Sequence, residues 1–289
     1  MDKVIGWIGV GSMGSRMAVN LSKSGYSIIV ADKISTEAAP KNAEVATNNQ
    51  ELAQKAEVVI FSVPAGPDTL TIAQEFIKTP DRIVKTVIDT STIGIPHARE
   101  AFELFKAHGI EYIDAPVSGG IAGAEAGTLA VMVGCQLDSF DKFKPILKCI
   151  GQNIIHVGSK AGQGQTVKLL NNFLSATAMA ATSEAMAFGT AKGLVMKCIL
   201  SVVNVSRCRN TASMMIFPNR VVTEAYNGGF ATKMMAKDVK LYVENVSTIG
   251  SAERLGPLVA DTFAQLEKFE TNSDFTKIYP FIRDKHFSD

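Results

Sequence analysis

The sequence has few cysteines, no excess of charge of either sign and no clustered histidines. Its four cysteines show no CxxC spacing, a pattern typical of reduced thiols in a cytoplasmic protein. A formal net charge of +1 leaves no basic field for nucleic acid or anionic lipid. The four histidines have no carboxylate or cysteine partners at ligand spacing, so we expect no metal site.

The apolar stretches also lack the continuity that a membrane segment requires. The N-terminal run, MDKVIGWIGVG, is shorter and richer in glycine than the apolar region of a signal peptide. Residues 169–191 are interrupted by polar side chains such as Asn172 and Glu184. We therefore expect no membrane partner, and we interpret residues 169–191 as part of a buried helix in a soluble protein.

The composition is that of a globular protein, with 46% hydrophobic and 20% charged residues, and 289 residues predict two domains. The first part of the chain alternates β-branched runs with amphipathic segments. Seven runs are candidate strands: 4–9, 27–32, 58–63, 83–89, 110–115, 129–134 and 153–157. This alternation indicates βαβ units and a largely parallel sheet with helices on both faces.

The strand pattern ends near residue 160, and the remaining sequence is helix-forming. One long helix is predicted over residues 165–192, with Gly193 ending it. Pro218 and Pro257 divide the region up to Phe269 into several helices. We place the boundary at a glycine cluster, which predicts an α/β domain over residues 1–161 and an all-α domain over residues 162–289.

The segment GVGSMG follows the first candidate strand and opens the first predicted helix. Gly9 permits a tight turn, Gly11 lets the backbone approach a pyrophosphate, and Gly14 allows helix and strand to pack closely. The N–H groups of the first helical turn then face the phosphates. The order of strand, turn and helix favours dinucleotide binding over a purely structural turn.

Asp32 ends the second candidate strand. A carboxylate there can accept hydrogen bonds from the adenosine ribose hydroxyls and would repel a 2′-phosphate. We therefore expect NAD rather than NADP, although the basic side chain of Lys33 would soften that discrimination. The alternative role for Asp32 is that of a turn or capping acid.

Two further candidate strands end in SVPAGP and DTSTIG. Ligands of doubly wound sheets bind outside the carboxyl ends of the strands. Val63, Pro64 and Thr92 are therefore candidates for lining the cofactor path, while a cap or a turn is the alternative for each.

The segment DAPVSGG places Ser118, Gly119 and Gly120 in a turn of small residues. Such a turn offers a hydroxyl and unobstructed N–H groups to a carboxylate or another oxyanion. The alternative is a loop that needs glycine only for its backbone conformation.

The segment GQGQTVKLLNNFL sets polar groups into the long apolar helix. Lys168 and Asn172 lie one turn apart and share a face, with Asn171 beside them. Partial desolvation lowers the pKa of a lysine toward neutrality, where it can exchange a proton with an alcohol or carbonyl oxygen. The alternative is a surface lysine that extends from a buried helix.

Four motifs in this order, IGWIGVGSMGSRMAVNL, DAPVSGGIAGAEAGTL, GQGQTVKLLNN and MAKDVKL, resemble those of the β-hydroxyacid dehydrogenase family. The resemblance covers nearly the whole chain. It implies an N-terminal Rossmann-type doubly wound sheet, an all-helical C-terminal domain built on a long interdomain helix, and a cleft between them. It also implies NAD, a small hydroxy acid or semialdehyde as substrate, and a homodimer or homotetramer.

The resemblance also implies roles for individual residues. The family's catalytic lysine falls on Lys168, its partner asparagine on Asn172, and its substrate-anchoring loop on residues 118–120. The positions that fall along the cofactor are Ser12, Met13, Asp32, Val63, Thr92 and Lys237.

One segment departs from the family pattern, because Arg207 and Cys208 stand where smaller residues are frequent. That segment lies toward the substrate end in the family, so the departure affects the identity of the substrate rather than the reaction. Arg209, Asn210 and Phe230 are further candidates for lining the substrate site. The alternatives to a hydroxyacid dehydrogenase are an imine-reductase-like enzyme, a decarboxylating 6-phosphogluconate dehydrogenase, and a non-catalytic NAD(H) sensor or scaffold of the same fold.

Overall fold

A computed structural model describes residues 4–287 of the chain. The chain divides into two compact units, one ending at Lys168 and the other beginning at Leu169. Among the described residues, two hydrophobic clusters lie in the first unit and one lies in the second.

The first unit is built on one sheet. Its strands within the described residues are β1 (Val4–Ile8), β2 (Ser27–Ala31), β3 (Glu44–Val45), β4 (Val58–Phe61), β5 (Thr86–Asp89), β6 (Glu111–Asp114), β7 (Val117–Ser118), β8 (Leu129–Gly134) and β9 (Gly151–Gly158). The order is β3, β2, β1, β4, β5, β6, β8, β7, with β9 paired to β8. Strands β1 to β6 pair in parallel, and β8 joins β6 in the antiparallel sense.

Helices connect these strands. They are α1 (Gly14–Lys23), α2 (Asn49–Lys55), α3 (Gly66–Lys78), α4 (Ile95–Ala107), α5 (Gly120–Ala126) and α6 (Leu137–Leu147). Successive side chains of a strand point to opposite faces of the sheet. Thus Trp7 belongs to one hydrophobic cluster and its neighbour Ile8 to the other. The expected α/β architecture, with a parallel-dominated sheet covered on both faces, is confirmed.

The chain leaves β1 toward β2 and β3, and then returns to the other side of β1 at β4. Ligands of such sheets bind at this change of direction, outside the carboxyl ends of the strands. The residues that follow β1, β2 and β4 therefore lie where ligands of such sheets bind.

Helix α7 (Gln163–Ala191) is the long helix that the sequence predicted. The second unit continues with α8 (Met196–Val205), a π-helix (Ala212–Val221), α9 (Thr232–Ile249), α10 (Leu255–Phe269), a short 3₁₀-helix (Phe275–Lys277) and α11 (Ile278–Arg283). Its core includes Phe217, Phe263 and Phe281, all almost fully buried. The all-helical character of this region is confirmed.

All seven predicted strands are present, each within a few residues of the expected bounds. The sequence did not predict β3 and β7, which have two residues each. Across residues 4–287, no helix is both long and apolar enough to cross a membrane.

Candidate active site

The glycine turn after β1 has two positions that only glycine can occupy. Gly9 has a φ of 91°, and a Cβ there would lie 2.2 Å from the carbonyl oxygen of Ser62. A Cβ on Gly14 would lie 1.9 Å from the carbonyl oxygen of Gly9. Both glycines therefore let the turn pack against β4 and close onto the start of α1.

Gly11, in the same turn, is surrounded by open space. A Cβ built on Gly11 would have no described atom within 4 Å apart from its chain neighbours. The absence of a side chain is therefore not required for packing there, and it fits the close approach of a dinucleotide phosphate. Ser12 and Met13 lead from this glycine into α1, whose first turn receives no side-chain cap from Met13.

The carboxylate of Asp32 binds the glycine turn directly. One oxygen accepts a hydrogen bond of 2.8 Å from the backbone N–H of Val10, and the other accepts one of 2.8 Å from Ile34. Asp32 thus acts as a turn acid, as the alternative interpretation held, and it also lies beside the predicted phosphate site. The two roles are compatible because a carboxylate has about four acceptor positions.

Lys33, the basic neighbour of Asp32, forms an ion pair with Asp68. Its Nζ lies 2.8 Å from the Asp68 carboxylate, whose hydrogen bond raises the pKa of the exposed lysine. This pairing directs the ammonium group to a carboxylate of the protein. It therefore weakens the case for Lys33 as a partner for a 2′-phosphate.

The predicted residues after β4 and β5 are linked through the backbone. The N–H of Val63 donates a hydrogen bond of 2.8 Å to the hydroxyl of Ser91, which connects the two strand ends. Pro64 is exposed, and Thr92 is half-buried. The structure thus brings Val63 next to the segment that contains Thr92.

The small-residue turn after β6 includes β7, where Ser118 pairs with Ala130. Ser118 is half-buried, and both following glycines have positive φ angles, 138° at Gly119 and 65° at Gly120. A Cβ on Gly120 would meet no described atom within 4 Å. This turn therefore meets the backbone requirement of the alternative interpretation, and open space lies beside Gly120.

Lys168 and Asn172 lie one turn apart on α7. Lys168 is 7% exposed and Asn172 is 5% exposed. An amphipathic lysine with its ammonium group in water, as in the alternative interpretation, would show a larger exposed fraction. The side chain of Lys168 is instead largely removed from bulk solvent.

Asn172 is oriented by Asp238, a residue that the sequence did not single out. The side-chain amide of Asn172 donates a hydrogen bond of 2.6 Å to an Asp238 oxygen, and the other oxygen of Asp238 lies 3.2 Å from Nζ of Lys237. Asp238 is 1% exposed. The available signal was the motif AKD, in which an acid follows the predicted cofactor lysine directly.

Two neighbouring contacts support this arrangement in the second unit. The rings of Phe173 and Tyr242 stack with their centroids 4.2 Å apart, which fixes α7 against α9. The amide of Asn171 donates a hydrogen bond of 3.2 Å to the side-chain oxygen of Asn172. Asn171 therefore helps to orient Asn172, which explains the second asparagine of the pair.

The residues that depart from the family pattern lie between α8 and the π-helix. Arg207, Cys208 and Arg209 are exposed, whereas Asn210 exchanges hydrogen bonds with Ser213 at the start of the π-helix. Phe230 lies in a different segment, where its N–H donates a hydrogen bond of 3.2 Å to Asp274.

A second buried network lies where α7 begins, and the sequence did not predict it. Asp114 accepts hydrogen bonds from the N–H groups of Gly162 and Gln165, at 2.8 and 3.1 Å, and from the side-chain amide of Gln165 at 2.8 Å. Burial raises the pKa of Asp114 to about 7, and the negative charge of Asp89 on the adjacent strand acts in the same direction. Burial also raises the pKa of Asp89 itself.

The geometry thus provides a dinucleotide turn in the first unit, and a buried lysine and asparagine on α7. Two family models cover most of the chain. Residues 4–158 match the NAD-binding domain of 6-phosphogluconate dehydrogenase, and residues 162–282 match the NAD-binding region of NADP-dependent 3-hydroxyisobutyrate dehydrogenase. The chain belongs to the β-hydroxyacid dehydrogenase family.

Relatives of this dehydrogenase align over almost its full length. It is 34% identical to 3-hydroxyisobutyrate dehydrogenase of Pseudomonas aeruginosa, covering 97% of this chain and 99% of that protein. It is 35% identical to the NAD-dependent L-serine dehydrogenase of the same organism, covering 92% and 93%. The solved structure of Mycobacterium tuberculosis 3-hydroxyisobutyrate dehydrogenase with L-serine has a TM-score of 0.91 and 29% identity, covering 98% of this chain and 100% of that one.

Family membership confirms several expectations from the sequence. The chain carries an NAD-binding domain, and its enzyme class is that of NAD-dependent oxidoreductases acting on a CH–OH group.

Within residues 4–287, no group of three or more histidine, cysteine or acidic side chains is arranged to hold a metal ion.

Proposed function

We propose that this dehydrogenase transfers hydride reversibly between NAD(H) and a small 3-hydroxy acid, whose carbinol becomes a semialdehyde or keto group. The observation that carries this proposal is the burial of Lys168 and Asn172, one helical turn apart, in a chain with a dinucleotide-binding turn. NAD, when bound, supplies the hydride acceptor.

The proton of the substrate hydroxyl requires a separate acceptor on the protein. Lys168 takes that proton during oxidation and returns it during reduction, as a general base and a general acid. Asn172 orients the substrate or the lysine, and its own orientation is supported by Asp238. Ser118 and the amides of Gly119 and Gly120 hold the acid group of the substrate.

Most of the residues that hold the cofactor follow strands of the sheet. Gly9, Gly11 and Gly14 form the phosphate turn, and Asp32 selects NAD over NADP. The proposed cofactor contacts outside these four are Ser12, Met13, Val63, Pro64, Thr92 and Lys237. We also propose an NAD-binding domain over residues 1–161 and a helical substrate and oligomerisation domain over residues 162–289.

We further propose a homodimer or homotetramer in the cytoplasm. Exposed apolar side chains support association, because Leu174, Ala181 and Phe188 recur every seven residues on α7 and are exposed. Phe188 is 69% exposed, which is unusual for so large an apolar side chain. Light scattering during size-exclusion chromatography should give a mass of two or four chains, and Phe188→Lys should lower it.

The catalytic proposal is tested by following NADH absorbance with a panel of 3-hydroxy acids, including 3-hydroxyisobutyrate and L-serine. These two are chosen because relatives are named for them. We expect NAD-dependent oxidation of at least one member of the panel. Tight NADH binding with no turnover across the panel would instead support the non-catalytic sensor.

A further inference from the structure

A buried glutamine connects the helix of the proposed proton relay to the loop after β5. Gln165 is completely buried and lies three residues before Lys168 on α7. Residues three apart are neighbours on a helix surface. The position of Gln165 is therefore transmitted to the lysine through less than one turn of rigid backbone.

The side chain of Gln165 uses all its hydrogen-bonding capacity. Its oxygen accepts hydrogen bonds from the N–H groups of Ile93 and Gly94, at 2.9 and 3.1 Å. Its NH₂ group donates to the carbonyl oxygen of Ser91 at 3.1 Å and to Asp114 at 2.8 Å. A primary amide has two acceptor positions and two donors, so this arrangement fixes the side chain in one orientation.

Three of these four partners surround Thr92 in the sequence. Ser91 lies before Thr92, and Ile93 and Gly94 follow it. Gln165 therefore holds the backbone on both sides of a proposed cofactor contact. The fourth partner, Asp114, also binds the N–H groups of Gly162 and Gln165 at the start of α7.

The surrounding backbone leaves little freedom for this connection to shift. A Cβ on Gly164 would lie 2.5 Å from the carbonyl oxygen of Met132, so the first turn of α7 lies close against β8. Close packing of this kind has low compressibility and transmits strain, so a change at one anchor is felt along the turn.

We propose that Gln165 is a positioning residue, which fixes the proton-relaying Lys168 relative to the cofactor-contacting loop of residues 91–94. This inference rests on the proposed function, because it requires that Lys168 relays the substrate proton. Gln165 itself does not exchange a proton. It holds one reacting group and one cofactor contact in a constant relative position.

Two variants at this position test the inference. Gln165→Glu keeps the length of the side chain but removes the NH₂ donors, and Gln165→Asn keeps the amide but cannot reach all four partners. The matched control is Thr166→Ala, because Thr166 is exposed in the same turn and its hydroxyl binds the carbonyl oxygen of Gly162 in its own helix.

The readout is turnover per NADH-binding site, counted by fluorescence titration, so that unfolded protein does not contribute. We expect kcat per site to fall about tenfold to a hundredfold in both variants, as for other small displacements of reacting groups. The Kd for NADH should rise by no more than about threefold, because only the proposed contact at Thr92 is displaced while the glycine turn and Asp32 are untouched. Thr166→Ala should keep kcat within about twofold.

Hydrogen exchange measured by NMR adds a readout that does not depend on catalysis. The amide protons of Ile93 and Gly94 should lose protection in both variants and keep it in the control. A variant with wild-type kcat per site would contradict the proposal, and so would the loss of all NADH-binding sites in both variants. An inactive wild-type protein would instead refute the proposed function.

Discussion

The side-chain amide of Asn172 donates a hydrogen bond of 2.6 Å to Asp238, a residue 66 positions further along the chain. Both side chains are at most 5% exposed, so the bond is shielded from water. The same carboxylate lies 3.2 Å from Nζ of Lys237. One buried acid therefore orients a proposed catalytic asparagine and faces a proposed cofactor contact.

Replacing this acid by its amide, Asp238→Asn, should impair catalysis more than folding. The change keeps an oxygen that can accept from Asn172 but removes the negative charge, which weakens the hydrogen bond by about 1–1.5 kcal/mol and corresponds to about a fivefold to tenfold loss in kcat. Steady-state kinetics with the preferred substrate measure the effect. The control is Asp261→Asn, since Asp261 is exposed on α10. An unchanged kcat in Asp238→Asn would show that Asn172 does not depend on this contact.

Cofactor preference should depend on the charge of Asp32. Asp32→Asn keeps an oxygen that can accept from Val10 but removes the repulsion of a 2′-phosphate. Because the repulsion of a 2′-phosphate is removed, we expect the ratio of kcat/KM for NADP to that for NAD to rise about tenfold or more, which corresponds to about 1.4 kcal/mol. Lys33→Ala should alter the ratio less, because Lys33 is paired with Asp68. Equal ratios in wild type and Asp32→Asn would remove Asp32 from cofactor selection.

Two glycines of the phosphate turn should respond differently to alanine. Gly11→Ala adds a methyl group to open space, so its free energy of unfolding should change by less than about 0.5 kcal/mol while the Kd for NADH rises about tenfold or more. Gly14→Ala places the methyl group against the Gly9 carbonyl and should cost about 1–3 kcal/mol in stability. Urea unfolding and NADH titration distinguish the two effects. Undiminished NADH affinity in Gly11→Ala would argue against phosphate binding at this turn.

Stability should fall as the pH rises between about 4 and about 7, through the proton bound by Asp114. Its pKa is raised from 3.8 to about 7 in the folded protein, so in this window the folded state binds more protons than the unfolded state. The free energy of unfolding therefore loses on the order of 4 kcal/mol from this group as the pH rises. The neighbouring Asp89 adds a change of the same sign.

Urea unfolding across this pH range tests the prediction, with Asp114→Asn as the comparison. The variant has no titrating group at this position, so its stability should depend less steeply on pH. Parallel curves for the two proteins would show that Asp114 does not carry the proton. Tyr112 should not contribute, because burial raises its pKa well above this range.

Local patterns in the sequence were sufficient to predict the sheet, the long helix and the phosphate turn. The β-branched runs predicted seven strands, because their alternation with amphipathic segments is a strong signal for βαβ units. β3 and β7 have two residues each, too few to show any periodicity. Their existence depends on pairing with neighbouring strands.

Local sequence patterns could not predict the hydrogen-bond network that supports the site. Gln165 contacts Ser91 and Asp114, which precede it by 74 and 51 residues. Asp238 contacts Asn172 at similar separation, and nothing in the spacing of these residues shows that they meet. The sequence therefore supplied candidates for binding and proton transfer, whereas the groups that orient them required the three-dimensional fold.

The central claim is that Lys168 relays the proton of the substrate hydroxyl, and kcat of Lys168→Ala tests it most directly. Turnover should fall about a hundredfold to ten-thousandfold, the usual contribution of general acid–base catalysis. The Kd for NADH, titrated on the same sample, should remain close to that of the wild type. Wild-type turnover in Lys168→Ala, with NADH binding retained, would contradict the account.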